Sequence, residues 1–183
     1  MINTIGNFGV GKTRFNLQFA YPELNSNIIR TYAEYLQRKI EIRSRVIEIT
    51  IWDTCFRERF HSVPKGFYNR AQGIILAYDI TNRVSFDSIE FWKKECEDCI
   101  SHDMEYSLVG LKIDLNEIRE VRKEEGELLA EKHNIPFFEI SSNDNHSVEC
   151  VFVSLASRIL EKPQFQNQKA PLNIKQDRFQ CAF

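Results

Sequence analysis

Long apolar runs are missing from this chain of 183 residues. The longest, such as Gly73-Ile74-Ile75-Leu76-Ala77-Tyr78, fall far short of the roughly 20 residues that a membrane-spanning helix needs. The first residues, Met1-Ile2-Asn3-Thr4-Ile5-Gly6, have neither the basic region nor the apolar core of a secretory signal. Cysteine is sparse: 5 residues at irregular spacing make no disulfide framework, which points to a reducing compartment. An excess of charge of one sign is also lacking. With 24 Lys+Arg against 26 Asp+Glu the net charge is −2, so no global positive footprint argues for nucleic acid. These absences exclude a secreted, membrane-spanning or collagen-like protein. What is present, 43% hydrophobic and 27% charged residues, is the balance of a folded soluble protein. The length allows one compact domain and a tail.

Short apolar runs alternate with helix-like stretches. Ile2–Ile5 reads as a strand and Lys12–Phe19 as a helix. Lys39–Arg43 and Val46–Trp52 read as two strands around a tight Arg43-Ser44-Arg45 turn, because Ile47, Ile49 and Ile51 alternate with Glu48 and Thr50. Gly73–Tyr78 and Ser107–Val109 are continuous apolar runs of the kind buried on both faces, and Phe137–Ile140 is a further short run. Ser85–Ile100, Lys123–His133 and Ser147–Leu160 have helical spacing. Strand–helix alternation predicts a parallel sheet covered by helices on both sides, an α/β protein. From Lys162 onward the chain is polar, carries Pro163 and Pro171, and keeps no period; residues 162–183 read as a flexible tail behind a domain spanning 1–161.

Gly6-Asn7-Phe8-Gly9-Val10-Gly11-Lys12-Thr13 fits G-x-x-x-x-G-K-[ST] between a predicted strand and a predicted helix. Glycines let the backbone curl until successive N–H groups face phosphate oxygens. The helix that follows adds its positive end, Lys12 reaches the outer phosphates, and the Thr13 hydroxyl suits Mg²⁺. A simple strand-to-helix turn would not need this full pattern. Cys96 and Cys99, with His102 close by, lack a second pair at metal spacing and read as two cysteines on a helix.

Further fragments follow: Trp52-Asp53-Thr54, Glu58-Arg59-Phe60, Phe67-Tyr68-Asn69-Arg70-Ala71, Gly73 through Thr81, Val109-Gly110-Leu111-Lys112-Ile113-Asp114-Leu115, and Glu139-Ile140-Ser141-Ser142. Their order and spacing, over about Ile2 to Leu160, resemble the Ras superfamily of small GTPases and most closely its Rab family. The resemblance implies a three-layer P-loop NTPase fold, with a six-stranded, mostly parallel sheet flanked by five helices. Relatives enter the first strand with more residues than Met1–Ile5 supply, so that strand is expected to be truncated. The resemblance also implies GTP/GDP and Mg²⁺ as ligands. Gly6 through Thr13 would hold the phosphates, and Thr13, Thr31 and Asp53 the metal. Lys112 and Asp114, matching N-K-x-D, would read the base with Ser141 and Ser142. Asp114 can accept both the N1–H and the exocyclic amine of guanine, which adenine does not offer. Tyr35, Trp52 and Phe67 match an aromatic trio shown to effectors, although aromatics on neighbouring strands also pack for packing's sake. Exchange and activating factors are the other implied partners, and the implied role is vesicle traffic in the cytoplasm, on endomembrane surfaces.

The departures concentrate at the chemistry. Phe8 stands where relatives have a small residue and is expected to crowd the γ-phosphate. Phe56 replaces the glycine of D-x-x-G, and Arg57 replaces the glutamine that orients the attacking water. Arginine has donors and no acceptor, so Arg57 as the catalytic-position residue is expected to be impaired. Leu111, Leu24 and Asn143 replace the asparagine, an aromatic and the lysine of the base-binding motifs. Asn3 and Thr4 sit where apolar residues are usual. Cys181 is a single cysteine with two residues after it, which does not match a prenylation box, so the expectation is peripheral membrane contact without a stable prenyl anchor. The reading is a Rab-like GTP-binding protein with very slow or absent hydrolysis. The alternative is a non-enzymatic pseudo-GTPase scaffold; a phosphate-loop small-molecule kinase ranks behind both.

Overall fold

The β-branched and aromatic runs of the sequence form one sheet, and the stretches with helical spacing cover its two faces. The computed structural model describes residues 1–23, 35–53, 70–99 and 103–166, with Asp53 described by its backbone. In chain order the elements are β1 (Ile2–Ile5), α1 (Lys12–Ala20), β2 (Tyr35–Ile42), β3 (Arg45–Asp53), β4 (Gly73–Asp79), α2 (Arg83–Asp87), α3 (Ile89–Cys99) and β5 (Glu105–Leu111). A 3₁₀ turn (Ile113–Ile118), α4 (Lys123–His133), β6 (Phe137–Ile140), α5 (Asn145–Glu161) and α6 (Pro163–Gln166) complete the described chain.

The six strands lie in the order β2-β3-β1-β4-β5-β6. β1 runs parallel to β3, with Ile2 opposite Ile51, and to β4, with Ile2 opposite Gly73. β4, β5 and β6 continue the parallel set, and β2 alone is antiparallel, as expected. The central strand β1 is short: it has 4 residues, as does the edge strand β6, where β3 has 9. Parallel strands place their C-terminal ends along one edge, so the loops after β1, β3, β4, β5 and β6 converge there.

The strand alternation of the β2–β3 ribbon is tightened by its turn. Arg43 and Ser44 take φ of 51° and 60°, the left-handed pair of a two-residue hairpin, and Ile42 faces Arg45. Arg45 is therefore the first residue of β3 rather than part of the turn.

Two apolar layers sandwich the sheet. On one face Phe15 and Phe19 of α1 stack on Phe152 of α5, with centroids 4.9 and 3.9 Å apart, over Ile2, Ile51, Ile75 and Val109. On the other, Phe86, Ile89, Trp92 and Cys96 from α2 and α3 and Ala130 from α4 pack on Ile5, Ile74, Leu76 and Tyr78. Aromatic stacks of this kind add about 0.5–1.5 kcal/mol each beyond their buried area. Among the polar residues at apolar positions, Thr4 is buried and donates to Asn16 Oδ1 on α1 at 2.7 Å.

The stretch predicted as one helix over Ser85–Ile100 is two among the described residues. Asn82 caps α2 by accepting from the Ser85 N–H, and the Ser88 hydroxyl bonds back to Val84 O at 2.7 Å. The Ser88 N–H also donates to Val84 O at 3.1 Å and its carbonyl accepts from Trp92 N–H at 3.0 Å, so α2 and α3 meet at a bend at Ser88, of the kind that back-bonding hydroxyls favour, with backbone bonds carried through it. At the other end, Lys162 lies 3.0 Å from Asp103 Oδ2 and 3.2 Å from Glu105 Oε1, and Phe165 of α6 packs against the core. Beyond residue 161 the described chain continues as the short helix to Gln166, of which Phe165 touches the core; residues 167–183, with Cys181, lie outside the described residues.

Candidate nucleotide-binding site

The chain leaves β1 at Gly6 through a backbone that only glycine fits. A Cβ on Gly6 would stand 2.0 Å from the Ala77 carbonyl oxygen of β4. Gly9 takes φ of 86° with open space where its side chain would be, and Gly11, at φ 107°, caps α1. Lys12 starts that helix and is 5% exposed; its ammonium donates to the carbonyls of Gly6 and Asn7 at 2.8 Å each. Val10 is buried in the α1/α5 core and pins the loop from below. Thr13 follows in the first turn of α1, and Phe8, at the turn of the loop, is 49% exposed.

The Asn7 side chain points the loop toward α3. Its Oδ1 accepts from the Trp92 indole N–H at 2.6 Å, and its Nδ2 donates to Ser88 Oγ at 3.1 Å. The bonds continue into the helix, since the Ser88 hydroxyl in turn donates to Val84 O. The bend between α2 and α3 is therefore the point at which the phosphate loop is moored.

At the end of β4, Asp79 is buried and binds Lys112 Nζ at 2.5 Å through Oδ2, while Oδ1 accepts from Thr81 N and Oγ1 at 2.9 and 2.7 Å. Lys112 takes φ of 70° directly after β5 and also donates to Gly9 O at 3.2 Å. One ammonium thus ties the ends of β4 and β5 to the phosphate loop. Leu111 is fully buried, and its Cδ1 lies 3.8 Å from where a Gly11 Cβ would be.

Beyond β6, Ser141 Oγ donates to Asp114 Oδ1 at 2.5 Å and accepts from Asn143 N at 3.2 Å; Ser142 is buried. Arg14 of α1 donates to Asn143 Oδ1, and Gln18, one turn on, to Asn145 Oδ1. Asp144 caps α5, and the Ser147 hydroxyl that donates to it holds its carboxyl below the ordinary carboxylate range, helped by the Ser147 and His146 N–H groups. Behind the sheet edge, burial pushes the Tyr78 phenol well above its usual range, with Glu139 adding to the rise.

Gly6 through Thr13, Lys112, Asp114, Ser141 and Ser142 therefore meet at the C-terminal edge of the sheet. Asp53 ends β3 at the same edge, its backbone opposite Thr4. Tyr35 and Trp52 are cross-strand partners with ring centroids 5.9 Å apart, and Tyr35 is 53% exposed. Thr31, Phe56, Arg57, Phe67 and Leu24 lie outside the described residues. Asp79, Trp92 and Arg14 were not singled out from the sequence. Asp79 had one signal, a carboxylate closing a wholly apolar strand; Trp92 and Arg14 had none.

No helix among the described residues is long and apolar enough to cross a membrane. The sequence model of the Ras family matches residues 2–161. The chain is 38% identical over 159 residues to Ras-related protein Rab-10 of Diplobatis ommata, covering 86% of this chain and 80% of that protein. It is 40% identical over 159 residues to Ras-related protein Rab-8B of Homo sapiens, covering 86% and 77%. Against Ras-related protein Rab-8A of Bos taurus it is 38% identical over 191 residues, covering 97% and 92%. With the mostly parallel sheet, the curled glycine loop and these matches together, the chain belongs to the Ras family and is Rab-like within it.

Proposed function

We propose that this protein is a Rab-like small GTP-binding protein, a GTP/GDP switch in intracellular vesicle traffic, with very slow or absent intrinsic hydrolysis. The observation that carries the reading is the bond from Lys112 to Gly9 O, which links the base-reading segment to the phosphate loop across one edge of the sheet. The donor set suits the ligand. Curled backbone at Gly6, Gly9 and Gly11 with Lys12 beneath it fits a polyphosphate, and Asp114 fits the paired donors of guanine. Mg²⁺ would be held by Thr13, Thr31 and Asp53 and would neutralise phosphate charge. Phe56 and Arg57 at the positions of the family's glycine and glutamine support the slow step, because Arg57 has no acceptor for a water proton. Tyr35 and Trp52, with Phe67, are the proposed effector contacts. Exchange and activating factors would act on the same side, in the cytoplasm at endomembrane surfaces.

Calorimetric titration of the full chain with GTP, GDP and ATP in Mg²⁺, followed by phosphate release in a single turnover, tests this. The expected outcome is Mg²⁺-dependent binding of GTP and GDP, no binding of ATP, and little release. The double variant Phe56→Gly, Arg57→Gln should then release phosphate faster. Binding of none of the three nucleotides would replace the switch by a non-enzymatic scaffold, the reading that Phe8, Phe56 and Arg57 favour.

A further inference from the structure

We propose that Arg14 is a positioning residue of the base pocket, which holds the carboxylate of Asp114 in place and supplies the cation missing at position 143. This rests on the guanine-nucleotide reading above and adds a specificity determinant to it. By resemblance, position 143 should be a lysine, and here it is Asn143. The charge lost from that loop reappears in space on α1, because the Arg14 guanidinium donates to Asn143 Oδ1.

The bonds that follow are directional. Arginine carries donors only, so Asn143 must present its oxygen to Arg14. That interaction holds the Asn143 turn, whose N–H donates to Ser141 Oγ at 3.2 Å. The Ser141 hydroxyl has one proton, and it goes to Asp114 Oδ1 at 2.5 Å. The chain Arg14–Asn143–Ser141–Asp114 therefore has a donor and an acceptor at every step. A carboxylate oxygen has further lone-pair capacity, so the bond from Ser141 fixes the plane of Asp114 and still leaves it able to accept the two guanine donors. A second tie sets the register: Gln18, four residues after Arg14 on the same helix face, donates to Asn145 Oδ1, and Asn145 Nδ2 donates to Pro22 O at 3.1 Å. Helix α1 thus carries Lys12 at its start and steadies the base-reading loop through Arg14 in the same turn and Gln18 in the next.

The test compares GDP with inosine diphosphate, which lacks the exocyclic amine, by calorimetric titration of the full chain in Mg²⁺. Wild type should favour GDP. Arg14→Ala should weaken GDP about tenfold and shrink the GDP-to-IDP preference, with the thermal midpoint shifting by less than about 2 °C. Arg14→Lys should keep most of the preference, and adding Asn143→Lys to Arg14→Ala should restore it. A preference unchanged in Arg14→Ala, whether or not the midpoint moves, overturns the proposal while the function reading stands. Failure of wild type to bind either nucleotide overturns both.

Discussion

Replacing Asp79 by asparagine would remove one charge and leave the shape almost unchanged, but the geometry leaves the new amide no good orientation. The native carboxylate accepts at both oxygens, from Lys112 on one and from the Thr81 N–H and hydroxyl on the other. Asparagine has one oxygen. If it faces Thr81, its NH₂ meets the ammonium; if it faces Lys112, its NH₂ meets the Thr81 N–H. A hydrogen bond to a charged group contributes about 1.5–3 kcal/mol. Lys112 keeps 32% of its side-chain exposure and can turn partly to water, so the loss should be about 2 kcal/mol. At about 2–4 °C per kcal/mol for a domain of this size, the thermal midpoint should fall by about 4–8 °C. Lys112 would also let go of Gly9 O, and GDP affinity should drop about tenfold. Thr81→Val, which removes only the hydroxyl bond, is the control and should cost about 1 kcal/mol. Thermal unfolding by circular dichroism and a calorimetric GDP titration read the two effects. A midpoint within about 1 °C of wild type together with unchanged GDP affinity would refute the role given to this carboxylate.

Gly6→Ala should leave little folded protein in a soluble-expression and circular-dichroism assay, because the added methyl lands 2.0 Å from the Ala77 carbonyl; a wild-type spectrum and midpoint would contradict that geometry. Tyr78→Phe should be neutral or stabilising by up to about 1 kcal/mol in urea unfolding, since the buried hydroxyl has no partner among the described residues; a clear loss would reveal one. Glu90 is held below its ordinary carboxylate range by the hydrogen bond from Lys132, with His133 adding to it. Its stabilising share is therefore present above the ordinary value of 4.5 and disappears as pH falls through the lower folded value. Wild type and Glu90→Gln should differ in urea midpoint at pH 7 and converge toward about pH 3; a gap that persists there would contradict the assignment.

The phosphate loop could be read because its requirements are local: three glycines and a lysine within 8 residues set the curl and the charge. The base side was legible through the order of its fragments, since Lys112 and Asp114 make sense only as followers of an apolar strand. The ties that make one site of these pieces were not legible. Lys112 meets Asp79 across 33 positions, Trp92 meets Asn7 across 85, and Arg14 meets Asn143 across 129. Separations of that size are set by strand order, and no periodicity encodes them. The bend at Ser88 was missed for a related reason, because a hydroxyl bonded to its own helix leaves the apolar spacing of Ser85–Ile100 intact. Asn143 looked like a plain loss until α1 brought a guanidinium to it.

The indole of Trp92 shares its only proton with the second residue of the phosphate loop, and the chain has just 2 tryptophans. Its emission is therefore an optical gauge built into the protein. In a Trp52→Phe background, any ligand that rearranges Asn7 changes the colour or yield of a single fluorophore, with no label attached.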